Sequence, residues 1–121
     1  MEWNDQAPTV QLMGRYQPWH AGHTELFIRA HAKTGQVLIM VRNTCGMDDK
    51  NPFHYPEIKD RIIQTLKDNG FVLGKDFMVN LVPNITNITY GRDVGYTIEK
   101  EDFDKEILKI SATQIRKEMG L

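Results

Sequence analysis

The chain has one cysteine, Cys45, in 121 residues. A lone thiol excludes an internal disulfide framework and fits a reducing, cytoplasmic setting. Long apolar runs are missing as well, so nothing approaches the roughly 20 residues that a membrane-spanning helix needs. Charge of one sign is not in excess: 15 Lys and Arg oppose 16 Asp and Glu, for a net charge of −1. That balance argues against a general surface for nucleic acid or membrane, and any phosphate recognition must come from a local site. The opening residues, Met1-Glu2-Trp3-Asn4-Asp5, are acidic and polar, unlike a secretory leader. Repeats and low-complexity tracts are absent too. What is present is a 40% hydrophobic content, enough for one core. The length fits a single domain over 1–121, with 1–8 read as a loose N-terminal segment.

The hydrophobic pattern alternates strand and helix. Val10–Met13 is short and apolar, as a buried parallel strand is. Thr24–Lys33 carries Leu26, Phe27 and Ala30 on one helical face, and Gly35 suits its C-terminal cap. Val37–Val41 is an unbroken apolar strand, followed by a polar loop over 42–55. Pro56 suits the first turn of a helix running to about Asn69, with Ile58, Ile62, Ile63 and Leu66 at helical spacing and Gly70 after it. Phe77–Val82 reads as a third strand, stopped by Pro83, and a turn-rich stretch follows over 84–95. Ile107–Ile110 is a further short apolar segment before a last helix. Such alternation predicts an α/β fold with parallel strands and right-handed crossovers. In open sheets of this kind, ligands bind beyond the carboxyl ends of the strands.

One decapeptide falls at such a place. Residues 14–23 read Gly-Arg-Tyr-Gln-Pro-Trp-His-Ala-Gly-His, between the first strand and the first helix. A helix N-terminus offers unpaired N–H groups and a partial positive charge to an anion. Gly22 would let the backbone approach that anion closely. His20 and His23 could hydrogen-bond phosphoryl oxygens or stabilise charge developing on them. The competing readings are two surface histidines at a helix start, or half of a metal site. Cys45 and His54 would have to complete that metal site, and their spacing fits no standard pattern.

The decapeptide resembles the H-x-G-H signature of the nucleotidyltransferase superfamily, in its G-R-[FY]-Q-P-[FW]-H-x-G-H form. A second block, Ile110-Ser111-Ala112-Thr113-Gln114-Ile115-Arg116, resembles the I-S-x-T-x-[IV]-R block near the C-terminus of that superfamily. Over roughly residues 9–118 the chain looks most like the nucleotidyltransferase-like domains fused to adenylylsulfate kinases. It also resembles the archaeal-type nicotinamide-nucleotide adenylyltransferases. The resemblance implies a minimal Rossmann-like sheet with helices on both faces. It further implies transfer of NMP from a nucleoside triphosphate, ATP rather than CTP, to a small phosphorylated acceptor. Pyrophosphate leaves, and Mg²⁺ is carried mainly on the nucleotide phosphates. Small relatives are commonly dimers, which points to a homodimer.

The resemblance also assigns residues. His20, His23 and Arg116 would be catalytic, the histidines against the triphosphate and Arg116 on its outer phosphates. Gly14, Arg15, Gly22, Lys50, Arg92, Ser111 and Thr113 would bind the nucleotide. A guanidinium at Arg15 suits phosphate because it forks two hydrogen bonds; the alternative is a solvated loop arginine. Ser111 and Gln114 also form a capping box, so this block has a structural reading of its own. Lys50 precedes Asn51-Pro52-Phe53, similar to a basic-[DN]-P-F element of the nicotinamide-type enzymes. Arg92 lies between glycines in Tyr90-Gly91-Arg92-Asp93-Val94-Gly95-Tyr96, a candidate contact to acceptor or base or a loop salt bridge. Asp48 and Asp49 are a solvated acidic loop or an aid to Mg²⁺. Tyr16 and Trp19 are as suited to packing under the loop as to touching ligand.

The chain departs from its relatives in two places. The nicotinamide-type enzymes carry a tryptophan segment that stacks the nicotinamide ring, and Pro83 to Tyr90 is too short to supply it. The arginine of the R-T-x-G-I-S-T block of glycerol-3-phosphate cytidylyltransferases is replaced by the run Lys105 to Lys109. The acceptor therefore stays open. A nucleotide-binding regulatory or assembly module without turnover is the alternative function.

Overall fold

The computed structural model describes residues 2–44, 48–92, 95–101 and 112–120. The elements run β1 (Val10–Gly14), α1 (Ala21–Thr34), β2 (Val37–Arg42), α2 (Tyr55–Asp68), β3 (Phe77–Val82) and α3 (Ala112–Glu118). The three strands form one parallel sheet in the order β1-β2-β3, with Leu12 opposite Ile39 and Ile39 opposite Val79. This is a small α/β, Rossmann-like arrangement. All three strands point the same way, so Gly14, Arg42 and Val82 end on one carboxyl edge. The Ile107–Ile110 segment lies outside the described residues.

Side chains directly opposed in a register point to the same face, so Leu12, Ile39 and Val79 share one. That face carries the core. Val37, Ile39, Val41, Phe77 and Val79 are buried with Phe27 and Ala30 of α1 and Ile58, Ile62 and Leu66 of α2. Successive right-handed crossovers that step in one direction along a sheet place their helices on the same side. Both crossover helices accordingly share this face. The second face, also expected to carry a helix, presents Met13, Leu38, Met40 and Met78, each half-buried.

The element bounds shift for local reasons. Helix α1 begins at Ala21, three residues before the expected start, because His20 is its N-cap. Imidazole is not among the usual capping groups, so its side chain gave no boundary signal. Gly35 caps the other end at φ 83°. In α2, Pro56 sits in the first turn, and the His54 N–H donates to Glu57 Oε1 at 3.3 Å. The N-terminal segment read as loose over 1–8 is, from residue 2 onward, laced to the amino edge of the sheet. Trp3 N–H donates to the Gly74 carbonyl at 2.7 Å. The buried Gln36 donates its Nε2 to the Asn4 carbonyl at 2.8 Å and to Thr9 Oγ1 at 2.6 Å.

Candidate functional site

The 15–23 segment leaves β1 at the carboxyl edge of the sheet and is held in one shape by its own side chains. Tyr16 adopts φ 51° and is 4% exposed. A left-handed conformation at a bulky residue is uncommon and needs surrounding structure to maintain it. Gly14 supplies part of that structure: a Cβ there would meet the Tyr16 ring at 3.0 Å. Gly14 thus makes room for an aromatic ring, a packing role beside the proposed nucleotide contact. Burial pushes the Tyr16 phenol well above its ordinary value. Trp19 is 1% exposed and donates Nε1–H to Thr24 Oγ1 at 2.8 Å. Both aromatics pack under the loop.

Gln17 joins this loop to the next one. Its Nε2 donates to the Phe53 carbonyl at 3.0 Å, and its Oε1 accepts from Phe53 N–H at 2.8 Å. The Gln17–Pro18 peptide bond is cis. Arg15 reaches the same neighbouring loop, with Nη1 donating to Asn51 Oδ1 at 3.3 Å. Asn51 in turn donates to Asp48 Oδ1 at 2.8 Å, and Lys50 N–H donates to that oxygen at 2.9 Å. Asp48 is therefore a turn-forming carboxylate. These bonds to Asn51 and Lys50 outweigh what burial there is and hold it below the usual carboxylate range, the Asn51 bond foremost. Arg15 and the exposed Lys50 side chain come to one edge; Arg92 is exposed and makes no contact with them among the described residues.

The two histidines cap α1 with each other. His20 Nδ1 accepts from Gly22 N–H at 3.1 Å, and His23 Nδ1 accepts from His20 N–H at 3.0 Å. The rings stack with centroids 3.9 Å apart and planes 26° from parallel. His23 also meets Tyr16 edge-on at 5.0 Å and Trp19 at 5.3 Å. An imidazole whose Nδ1 accepts must carry its proton on Nε2 when neutral. Burial, then the neighbouring His20 charge, lowers His23 to about 3. Burial and the Arg61 charge lower His20 as well. Both rings are thus neutral near pH 7, and among the described residues neither Nε2–H has a partner. The result is two N–H donors on stacked rings that carry no charge of their own.

Gly22 also takes part in the cap. It lies in the first turn of α1 and donates its N–H to His20.

Arg116 arrives from the far end of the chain. It is 8% exposed, and its Nη1 donates to the Gln17 carbonyl at 2.5 Å. Helix α3 is therefore tied to the first loop across 99 residues of sequence. Ser111 lies outside the described residues, as does the side chain of Thr113. Two contributors were missed from sequence, Gln17 and Arg61. Arg61 Nε donates to the Trp19 carbonyl at 2.8 Å. Neither contact has a local signature, because each spans more than 30 positions. Only the polar Gln between an aromatic and a proline was a hint. Among the described residues, no three His, Cys, Asp or Glu side chains gather as metal ligands. No described helix is long and apolar enough to cross a membrane. Comparison with protein-family models, with curated proteins and with solved structures finds no match for this chain.

Proposed function

We propose that this protein is a nucleotidyltransferase that moves NMP, AMP in preference to CMP, from a nucleoside triphosphate to a small phosphorylated acceptor. The observation that carries this reading is the stacked pair His20 and His23, each with a free Nε2–H at the carboxyl edge of a parallel sheet. An oxygen of the acceptor phosphate attacks the α-phosphorus and forms a new P–O bond. The bond to the β-bridging oxygen breaks, and its electron pair leaves with pyrophosphate. No proton needs to move in this exchange, so the site requires neither a nucleophilic side chain nor a general base. It requires positioned donors for oxygens that gain charge in the transition state. Neutral imidazoles fixed by Nδ1 acceptance meet that need without a change of protonation state.

The remaining roles follow the same chemistry. The triphosphate would bring Mg²⁺ with it, and that cation would supply charge neutralisation for the leaving pyrophosphate. In this reading Arg116, with Ser111 and Thr113, binds the outer phosphates, and Arg15 and Lys50 bind the nucleotide from the neighbouring loops. Gly14, Gly22 and Arg92 complete the nucleotide-binding set. Residue Arg116 already holds the Gln17 carbonyl, which supports a role in joining the two motifs.

A melting screen against the four triphosphates with Mg²⁺ tests the reading. A ligand at a hundredfold excess over Kd stabilises the folded state by about 2.7 kcal/mol. ATP is expected to give the largest shift, and pyrophosphate release is expected once an acceptor phosphomonoester is supplied. Absence of any shift at millimolar triphosphate overturns the site. A shift without pyrophosphate release across a panel of phosphomonoesters favours the non-catalytic binding module.

A further inference from the structure

Arg61 occupies an unusual position for an exposed arginine. Its Nε donates to the Trp19 carbonyl, directly before His20 in sequence, which fixes one corner of the guanidinium. Glu57 stands four residues earlier on α2, the spacing at which a helical Glu–Arg pair forms. Yet Glu57 Oε1 accepts from the His54 N–H, and Arg61 forms no ion pair among the described residues. The four N–H bonds on its two Nη atoms are therefore uncommitted, and they are arranged in the planar fork that fits two phosphate oxygens.

Beside this guanidinium lies a recess of about 190 Å³, lined by Tyr16, Pro18, Phe53, Glu57, Ile58 and Arg61. It is smaller than the roughly 300–1,000 Å³ that encloses a whole drug-sized ligand. One end of a molecule fits. Four of its six lining residues are aromatic or aliphatic, one is a cation and one a carboxylate. Of the two stacked histidines, His20 is the one whose titration Arg61 perturbs, which places the guanidinium on the His20 side of the pair.

We propose that Arg61 and this recess form the acceptor subsite, in which the guanidinium holds the phosphate of a phosphomonoester beside His20 and the apolar walls take the group esterified to it. The proposal rests on the nucleotidyltransferase reading and adds to it the residue that presents the nucleophile. Two oxygens of the acceptor phosphate bind the Arg61 fork. The third attacks the α-phosphorus, the bridging P–O bond breaks, and the electron pair departs on pyrophosphate. A flat or apolar group next to the phosphate packs between Pro18 and Phe53, and Glu57 accepts from a hydroxyl or amine at the rim.

The test titrates inorganic phosphate and phenyl phosphate into the full chain by calorimetry, with and without a saturating α,β-methylene triphosphate and Mg²⁺. In the wild type, phenyl phosphate should bind more tightly than inorganic phosphate, and both should bind with the triphosphate analogue in place. Arg61→Gln should weaken both by about tenfold to a hundredfold, the loss expected for charge-assisted hydrogen bonds. Triphosphate affinity should stay within about twofold. Arg61→Lys keeps the charge without the fork and should fall between the two. Unchanged phosphate binding in Arg61→Gln overturns the proposal, as does displacement of phosphate by the triphosphate analogue. Equal loss of triphosphate and phosphate binding also overturns it, because Arg61 would then only support the loop. Should the analogue fail to bind while phosphate binding still depends on Arg61, the transferase reading falls and the anion subsite stands.

Discussion

Two histidine sites lie at opposite edges of the same sheet, and they use imidazole in opposite ways. At the amino edge, His31 Nε2 meets Asp76 Oδ1 at 2.9 Å, and the other oxygen of Asp76 accepts from Val72 N–H at 2.8 Å. His31 also packs against Phe27 and Phe71. That imidazole ties the end of α1 to the turn before β3 through an Nε2 held by a carboxylate. At the carboxyl edge, His20 and His23 have no carboxylate partner among the described residues. They stack on each other, turn both Nδ1 atoms to the backbone and leave both Nε2–H groups without a partner among the described residues. A carboxylate partner engages a ring nitrogen; a backbone N–H on Nδ1 fixes the tautomer and leaves the other nitrogen as a free donor. The difference separates a histidine committed to a carboxylate from a pair that keeps its Nε2–H donors for the proposed ligand.

Substitution at the two edges should break or confirm that division. His23→Ala removes a fixed donor and should slow pyrophosphate release a hundredfold or more, on the order of 2–4 kcal/mol in the barrier. It also removes the acceptor for His20 N–H and a ring packed on Tyr16 and Trp19, so melting should fall as well. His31→Ala should lower melting alone, with turnover per folded molecule unchanged. Equal turnover losses at the two edges would erase the distinction.

The next two effects concern the frame around the carboxyl-edge pair. Arg116→Ala strips a buried charge-assisted bond from the Gln17 carbonyl and should cost about 1.5–3 kcal/mol of stability. If Arg116 also meets the outer phosphates, triphosphate affinity should fall more than monophosphate affinity, as read by calorimetric titration. Gln17→Ala leaves both Phe53 backbone groups without their partner and should cost about 1–3 kcal/mol in a urea titration. Gln36→Ala at the amino edge is the matching control. It should loosen residues 2–9, seen as faster amide exchange there, with nucleotide binding unaffected.

The strands and α2 were legible in the sequence because their signals are local. Ile58, Ile62 and Leu66 recur at helical spacing and are all buried, and Val37–Val41 is the central strand, extended by Arg42. The loop carrying the site was legible as a place, through the strand-to-helix change at Gly14–His23. Its workings were not. A histidine as N-cap moved the start of α1 and made the Gly22 N–H a cap donor. The Gln17–Phe53 pair and the Arg61–Trp19 and Arg116–Gln17 bonds depend on the fold bringing distant residues together, which no periodicity encodes. The side on which helices lie was also set by strand order, which the alternation of elements alone does not specify.

The smallest effect is a dependence of stability on pH, and its sign follows from the lowered histidines. His23 titrates near 3 in the folded protein, and near 6.5 when unfolded. Above about pH 7.5 both states are neutral, and the group contributes nothing to the pH dependence. As pH falls through 6.5, the unfolded chain takes up a proton that the native site refuses, so stability falls. The loss runs at up to about 1.4 kcal/mol per pH unit and continues until the native pKa is reached. His20 is partly exposed, shifts in the same direction and adds less. Between pH 7.5 and 5.5 the expected loss from His23 is therefore about 1.4 kcal/mol, above the range where carboxylates titrate. Urea midpoints over that interval measure it. His23→Asn keeps a side-chain acceptor for His20 N–H but cannot titrate, and should flatten the slope. His31→Asn should leave the slope in place. A flat wild-type profile, or a slope that vanishes with His31 instead, would mean that the carboxyl-edge pair takes up protons as readily in the native state as in the unfolded one and loses its neutral donors below about pH 6.5.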